Sequence, residues 1–557
     1  MNTAILVLVW LLPLSLLPLA GQRYAGWSML VAPLPALLAA LMVPVGTSVS
    51  LPWLLLGAEF GLDETGRVFL LFSGLLWLAA ALYGAGGWAG EQHGTRYRVF
   101  FLLAMAGNLG LIVAGDMLSF YLGFTLMGLA ACGLILHPAT QLARQAARRY
   151  LAWTIAGELL LFVAVVMLAM QHGGALDFAI LQSGPHTGFV VLLLIIGFGI
   201  KLALPGLHLW LPQAYAVTPA PAVAVLGGAM IKAGLLGWLR FLPPGDAAPG
   251  GWGQILLVVG VTGIFFGTIG GLLQQQPRML LGYSSISKMG VLTTGMGAAL
   301  AWPTAAPALI GALVLYAAHH ALVKGALFLG LGLAERGGLR PWLLTGLGFL
   351  ALVLAGAPLT SGALAKSVLK TSLPAEAHVL VLLLAVSAFA TTLLMARFLY
   401  LVWQQRGGST TQLPGEAIVA WLAILAVIVA FPFAVAGSDL PLANVAPLTL
   451  GILLSGIALL AASHLPESTA IRKYRRAVTR LAVRTAVAIR RTARAPQHLF
   501  GSLHRAWQNY CGALPQALVN RLAQLQRPAR SEDQWPLTGG LWLAIGGLLL
   551  ATFMLAG

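Results

Sequence analysis

The chain has 557 residues, of which 59% are hydrophobic and only 8% are charged, and its formal net charge is +17. Soluble domains carry about 25% charged residues, so this composition excludes an ordinary soluble globular protein. The two cysteines, Cys132 and Cys511, exclude a disulfide framework and a Cys-ligated iron–sulfur cluster held by this chain alone. Without a P-loop, a dinucleotide-binding glycine motif or HExxH either, we expect no cofactor in this chain.

Apolar segments of about 20 residues, each long enough to cross ~30 Å of hydrocarbon as a helix, recur along the chain. We therefore predict an all-α polytopic membrane protein with about sixteen transmembrane helices. The first segment lacks a basic leader and a cleavage site, which indicates a retained helix and not a signal peptide. The predicted spans are 3–21, 27–45, 67–86, 98–115, 117–136, 148–170, 188–208, 219–242, 253–273, 279–300, 305–333, 342–370, 379–403, 416–437, 445–463 and 539–556.

The charge of the loops alternates along the predicted spans. Loops after odd-numbered spans are rich in arginine, as at 144–149, whereas loops after even-numbered spans carry most of the acids, as at 63–64. By the positive-inside rule the arginine-rich loops face the cytoplasm, and the acidic loops and both termini face outward. This pattern predicts a multi-pass protein of a bacterial inner membrane.

Residues 464–538 form a polar arm before the last predicted span. From Arg472 to Arg530 it holds twelve arginines and one lysine but no acid. Arginines 472, 476, 480 and 484 share one helix face, which favours a basic amphipathic helix on the cytoplasmic surface that binds anionic lipids. The alternative is a solvated loop, and nucleic-acid binding does not fit a chain of this composition.

Lysines are used differently from arginines in this sequence. The chain has seven lysines against 25 arginines; Lys473 belongs to the arm and Lys370 to a predicted helix end. The other five fall inside predicted spans: Lys201, Lys232, Lys288, Lys324 and Lys366. One such lysine is compatible with snorkelling or with a structural contact. Five in successive segments favour a buried ion path, because ionisable groups at membrane depth are costly.

Two of these lysines lie beside helix breakers. Pro205 follows Lys201, and Pro358 precedes Lys366, in the seventh and twelfth predicted spans. Broken helices at corresponding positions indicate inverted repeats, here spans 4–8 and 9–13. The predicted organisation is helices 1–3 (1–97), a first half-channel repeat (98–242), a second (253–403), peripheral helices (416–463), the arm (464–538) and a final helix (539–556).

At these positions the chain resembles a known family, the antiporter-like, proton-pumping membrane subunits of respiratory complex I. Related subunits occur in group 4 hydrogenases, multi-subunit sodium/proton antiporters and inorganic-carbon uptake complexes. The matching text is KLALPGLHLWLPQAYAVTPAPAVAVLGGAMIKAGLLGWLR (201–240), LLGYSSISKMG (280–290), HALVKGALFLGLG (320–332) and GAPLTSGALAK (356–366). The number of spans and the arm resemble the branch that contains the distal pump subunit.

The resemblance implies roles for individual residues. Lys201 resembles the broken-helix lysine of the first half-channel, and Lys232 the lysine of the next helix. His320 and Lys324 resemble the central connecting pair, and Lys366 the terminal residue that exchanges protons with the outside. His208, Lys288, His319 and Thr125 are further candidates: His208 is interpreted as shaping the helix ends, and the roles of the other three stay open.

The sequence departs from the family pattern in the fifth span. The family usually has a glutamate where SFYLGFTLMGL has Thr125. Glu158, in TIAGELLLF, is the only acid well inside a predicted span. We therefore expect Glu158 to replace the missing acid as the partner of Lys201; the alternative is a fixed pair that ties helices together.

The implied function is proton translocation, with sodium as an alternative ion, along a Lys/His/Glu relay coupled to a partner. The chain would then serve a redox-driven translocase such as NADH-quinone oxidoreductase or a membrane-bound hydrogenase. Partners would be other membrane subunits and a peripheral subunit that supplies or uses energy. Two alternatives remain: a proton-conducting subunit that powers inorganic-carbon uptake, and a structural subunit with an inactive channel.

Overall fold

The computed structural model describes residues 1–22, 25–85, 94–183, 186–242, 251–405, 412–437 and 446–454. They belong to the first of two compact units, Met1–His464; the second, Leu465–Gly557, lies outside the described residues, as do the predicted arm and final span. Within the described part, eleven helices are long and apolar enough to cross a membrane, and Gly188–Leu202 and Pro341–Ala355 are shorter apolar helices. The protein is a multi-pass membrane protein.

The N-terminal region contains helices and one small sheet. Its elements are α1 (Asn2–Ser15), a 3₁₀ turn (Leu17–Gly21), α2 (Ala25–Val31), α3 (Leu34–Met42), β1 (Ser48–Leu51), β2 (Ala58–Gly61) and α4 (Glu64–Ala85).

The antiparallel hairpin β1–β2, in which Ser48 pairs with Gly61, is a small local exception to the predicted all-α architecture. The chain reverses through left-handed residues at Leu55 and Gly57, and β2 is held because Phe60 stacks on Trp10, with 5.1 Å between ring centroids. Two four-residue strands between apolar spans carry too little periodicity to be distinguished from a loop.

The middle of the chain forms the first half of the helical bundle. Its helices are α5 (Gly94–Val113), α6 (Met117–Leu136), α7 (Gln141–Gln171), α8 (Phe178–Ser183), α9 (Gly188–Leu202), α10 (Leu211–Val217), α11 (Ala220–Gly228), a 3₁₀ turn (Met230–Lys232) and α12 (Ala233–Phe241). The seventh predicted span, 188–208, therefore consists of α9 followed by non-helical backbone, and the short α10 lies beyond it.

The second half follows with a similar series. It consists of α13 (Trp252–Leu272), α14 (Pro277–Ala301), a 3₁₀ turn (Pro303–Ala305), α15 (Ala306–Gly337), α16 (Pro341–Ala355), α17 (Ser361–Thr371), a 3₁₀ turn (Ala375–Ala377) and α18 (His378–Gln404). The helix α19 (Gly415–Ala436) comes next, and residues 446–454 are also helical. Each of the first fourteen predicted spans thus coincides with a helix or with a pair of helices.

The two halves pack in the same order. In the first half α5 packs on α6, α7 on α9, and α9 on α12. In the second half α13 packs on α14, α15 on both α16 and α17, and α16 on α18. The division into two repeats and their inverted relation stay predictions.

Glycines allow the closest of these contacts. A Cβ on Gly107 of α5 would lie 2.4 Å from the backbone nitrogen of Met127 on α6. A Cβ on Gly267 of α13 would lie 2.4 Å from that of Ser287 on α14. Small residues let helix backbones approach in a membrane, where the hydrophobic effect does not drive helices together.

Candidate functional site

The helix α7 presents a polar face inside the first half of the bundle. Tyr150, Thr154 and Glu158 are spaced by four residues, so they lie above one another on that face, and all three are buried. The hydroxyl of Thr125 on α6 donates a hydrogen bond of 2.5 Å to Oε2 of Glu158. The fifth-span residue that stands in place of the family's glutamate therefore contacts the carboxylate on the sixth.

Lys201 lies opposite this face, in the last turn of α9. The helix ends at Leu202 because Ala203 has left-handed backbone (φ 55°) and Pro205 follows. Lys201 is buried, its Nζ donates to the hydroxyl of Tyr150 at 3.1 Å, and its ammonium lies over the rings of Phe124 (5.6 Å) and Tyr150 (5.5 Å). Cation–π contacts and one hydroxyl thus stabilise the charge.

Glu158 and Lys201 are neighbours without direct contact. No ion pair within 4.0 Å joins them in the described structure, where the closest polar partners are Thr125 for the carboxylate and Tyr150 for the ammonium. Both side chains line one small cavity with about 10 Å³ of free volume, walled also by Phe124, Thr154, Gly157, Gly197, Ile200 and Trp210. The two groups therefore share a cavity but bond to different neutral partners.

The centre of the bundle holds the next group of ionisable side chains. Nζ of Lys232 donates to the carbonyl oxygen of Gly227 at 2.7 Å. Nζ of Lys324 donates to the carbonyl of Leu281 at 2.7 Å and to the hydroxyl of Ser284 at 3.0 Å. Both lysines are fully buried, and their ammonium groups bond to neutral oxygens.

Two adjacent histidines of α15 differ in their contacts. Nδ1 of His319 lies 2.9 Å from the hydroxyl of Ser361, at the start of α17. His320 is fully buried and neither of its ring nitrogens has a hydrogen-bond partner among the described residues. Lys232 and Lys324 both lie close enough to interact electrostatically with His320. His320 is thus placed to connect the two lysines, while His319 ties α15 to the second broken helix.

Lys288 of α14 lies in the second half of the bundle. It is fully buried, and its ammonium donates to the hydroxyl of Thr391 on α18. This contact joins two helices of the second half and brings Lys288 into the set of buried lysines on neutral oxygens.

Lys366 lies beside the second helix break. The helix α16 ends at Ala355 because Gly356 has left-handed backbone (φ 94°), and α17 begins at Ser361, beyond Pro358. Nζ of Lys366 donates to the carbonyl of Leu354 at 3.0 Å and also to that of Ala355. Lys366 therefore caps the free carbonyls at the end of α16, where the helix dipole favours a cation.

His208 lies in the segment between α9 and α10. It is buried, packs edge-on against Phe266 of α13 with 4.7 Å between centroids, and its Nδ1 has no hydrogen-bond partner in the described part of the chain. The ring contacts of His208 are with Phe266 of α13 and Tyr283 of α14. The interpretation that His208 shapes the helix ends stays a prediction.

A two-pronged ion pair connects the ends of two helices. Arg240, at the end of α12, makes a two-pronged contact with Asp63, which precedes α4, at 2.7 and 2.8 Å. Burial alone would raise the pKa of Asp63, but the Arg240 guanidinium holds that pKa below its usual value. The pair connects the N-terminal region to the first half of the bundle.

Two residues of the site were not predicted from the sequence. Tyr150 could have been found, because its spacing from Glu158 is a multiple of four on a predicted helix. Gly128 on α6 lies against both charged groups: a Cβ there would be 3.1 Å from Oε1 of Glu158 and 3.9 Å from Nζ of Lys201. No sequence pattern distinguishes it from the many packing glycines.

The sequence matches the family model described as NADH:quinone oxidoreductase/Mrp antiporter, TM, over residues 114–394. It is 32% identical over 289 residues to NADH-quinone oxidoreductase subunit N of Desulforudis audaxviator, a match that covers 50% of this chain and 56% of that protein. It is 30% identical over 362 residues to a putative antiporter subunit of Staphylococcus saprophyticus, covering 60% and 45%. The chain spans about half the length of the first curated relatives it matches.

The fold is similar to a chain in the structure of the Mrp complex from Dietzia sp. DQ12-45-1b, with a TM-score of 0.73 and 24% identity. The match covers 99% of this chain and 66% of that one. The described architecture is therefore that of an antiporter-like membrane subunit.

Proposed function

Because the chain belongs to the NADH:quinone oxidoreductase/Mrp antiporter transmembrane family, we propose that it translocates protons through the membrane as one subunit of a larger assembly. The path runs from Glu158 and Lys201, through Lys232, His320 and Lys324, to Lys366. Lys288 lies in the second half of the bundle, beside this path and not among its main steps.

One observation carries the proposal. The five lysines inside the helical bundle are all buried, and the hydrogen bonds that their ammonium groups donate within the described structure go to neutral hydroxyl or carbonyl oxygens. A structural lysine at membrane depth is expected to be paired with an acid, because an unpaired buried charge is costly. Ionisable groups without fixed counter-charges suit a relay whose members take up and release protons.

The mechanism depends on the pair in the first half. When Glu158 approaches Lys201, the two charges stabilise each other; when they separate, the ammonium loses its counter-charge and its proton moves toward Lys232. The proton then passes His320 and Lys324 to Lys366, which exchanges it with the outside. Transient water supplies the links between stations that are not in contact.

The assembly supplies the energy. We propose that neighbouring membrane subunits and a peripheral partner cause the movement of Glu158 against Lys201. Anionic lipids would bind the arm at 472–530, on the cytoplasmic side of a bacterial inner membrane. We also propose that no cofactor is held by this chain itself.

The test is proton translocation by the purified assembly in sealed vesicles, measured with a pH-sensitive dye. K201A is expected to abolish coupled translocation while the protein still assembles, since it removes the first station. K473A, which changes a lysine of the arm, is the control and should translocate normally. Wild-type translocation by K201A would contradict the proposal.

In a second candidate function the same path conducts protons, but the proton gradient is consumed and not built. The replacement of the usual fifth-span glutamate by Thr125 favours a divergent member, in which the proton gradient is consumed to power a partner such as an inorganic-carbon uptake protein. Mass spectrometry of the gently extracted complex distinguishes the two. Redox subunits would indicate a pump, whereas a single large peripheral partner with zinc-ligand chemistry and no redox subunit would indicate a gradient-driven uptake system.

A further inference from the structure

The space between Glu158 and Lys201 is bordered by a glycine with an unusual environment. A Cβ on Gly128 would have as its three nearest neighbours Thr154 Cγ2 at 3.0 Å, Glu158 Oε1 at 3.1 Å and Lys201 Nζ at 3.9 Å. For comparison, a Cβ on Gly107 or Gly123 would meet the backbone of the facing helix. At Gly128 the neighbours are instead side-chain atoms of α7 and α9, and two of the three belong to the ionisable pair.

The backbone at Gly128 is fixed by the same network. The hydroxyl of Tyr150 donates to the carbonyl of Gly128 at 3.0 Å and accepts a hydrogen bond from Lys201 at 3.1 Å. Gly128 therefore keeps a defined position relative to the ammonium group. A Cβ added there would press on the side chains of Thr154 and Glu158 and would touch the ammonium of Lys201.

The carboxylate and the ammonium also share a cavity. It has about 10 Å³ of free volume, which is about what one water molecule requires when it has two or more polar partners. Oε1 of Glu158, Nζ of Lys201 and the hydroxyl of Tyr150 supply such partners. The cavity thus has both the size and the polarity for a bridging water.

We propose that Gly128 is a positioning residue of this site. Its lack of a side chain keeps a gap open between Glu158 and Lys201, so that they exchange a proton through one bridging water and not through a fixed ion pair. After Lys201 has passed its proton toward Lys232, the carboxylic acid of Glu158 gives its proton to the water oxygen, and the water gives one of its protons to the neutral amine of Lys201. The products are a carboxylate, an ammonium group and an unchanged water molecule.

This inference rests on the proposed function, and three variants of the assembled complex separate the two. G128A and G128S add the same Cβ, but only serine adds a hydroxyl that can reach both Oε1 and Nζ. G311A is the matched control, since a Cβ on Gly311 would meet nothing within 4 Å. Proton flux under an imposed potential is measured in vesicles for each variant, with E158Q and K201A alongside.

We expect G128A to lower the flux at least about tenfold, as displaced proton-transfer partners do. G128S should stay within about threefold of the wild type, because its hydroxyl replaces the water, and G311A should match the wild type. If G128S is as slow as G128A, the effect is steric and the inference is wrong. It is also wrong if G128A keeps wild-type flux while E158Q and K201A lose it, and full flux in those two would instead overturn the proposed function.

A measurement on the wild-type protein does not depend on the folding of the variants. Infrared difference spectra are recorded across the titration of Glu158, in ordinary water and in water labelled with oxygen-18. The inference predicts a water O–H band that shifts with the label and that is missing in E158Q. A spectrum without any label-sensitive band would overturn it.

Discussion

Lys201 in the first half of the bundle and Lys366 in the second both lie beside a broken helix, yet their neighbours differ. Lys201 shares a cavity with the carboxylate of Glu158, the one acid buried midway along a described helix, and donates to a tyrosine hydroxyl. Lys366 donates to the two free carbonyls at the end of α16. The first site can separate opposite charges, whereas the second binds an ammonium to fixed dipoles. We infer that energy is coupled in the first half and that the second half conducts.

The largest expected effect comes from removing the negative charge of the first half. E158Q keeps an oxygen that can accept from Thr125, so the fold should survive, but the pair can no longer form. Flux should fall at least about 100-fold, the usual contribution of a proton-transfer group. E416Q, at the exposed start of α19, is the control. Normal flux in E158Q would contradict the inference that energy is coupled in the first half of the bundle.

Two variants of Lys366 in the second half should separate the effect on proton flux from the effect on stability. In K366Q the amide can still donate to the carbonyls of Leu354 and Ala355, while K366L leaves them without a partner. Both variants should lose flux about tenfold or more. Only K366L should lose stability, by about 1–3 kcal/mol for buried unsatisfied groups. Flux is measured in vesicles and stability by thermal unfolding in detergent; equal stability of the two variants would argue against the capping role.

An exchange of residues tests how far the position of the acid matters. The Thr125 hydroxyl and the Glu158 carboxylate are in contact at 2.5 Å, so T125E/E158T moves the acid from α7 to α6 with little displacement. The flux of the double variant should be within about tenfold of the wild type. The flux of T125E alone should be low, because two carboxylates then compete for one lysine. Flux of the double variant as low as that of E158Q would show that the position of the acid on α7 is essential.

The smallest expected effect concerns the ion pair of Arg240 and Asp63 and changes stability alone. The Arg240 guanidinium lowers the pKa of Asp63 despite its burial, so their ion pair stabilises the fold at neutral pH. This contribution is lost as the pH falls below the unfolded value of about 4 and through the lowered folded value. The difference in unfolding temperature between wild type and D63N should therefore be small, constant near neutral pH, and vanish in acid. A difference that grows in acid would contradict the assigned sign.

The sequence alone located the helices and the buried lysines, because long apolar runs and rare intramembrane charges are strong local signals. It missed the hairpin at 48–61, whose strands are too short to show a period. It proposed Glu158 as the replacement acid, which stays a prediction, and it gave no indication that Thr125 would donate to that carboxylate. It also missed Gly128, since contacts between helices depend on how they are rotated against each other, which one sequence does not encode locally.

The central claim is that the two halves form one path in series. Proton flux under an imposed potential should be compared in the wild type, K201A, K366Q and the double variant K201A/K366Q. A series path predicts that each single variant loses at least about nine tenths of the flux and that the double variant is no slower than the slower single variant. If each single variant retains about half of the flux and only the double variant abolishes it, the halves are independent channels and the single relay is wrong.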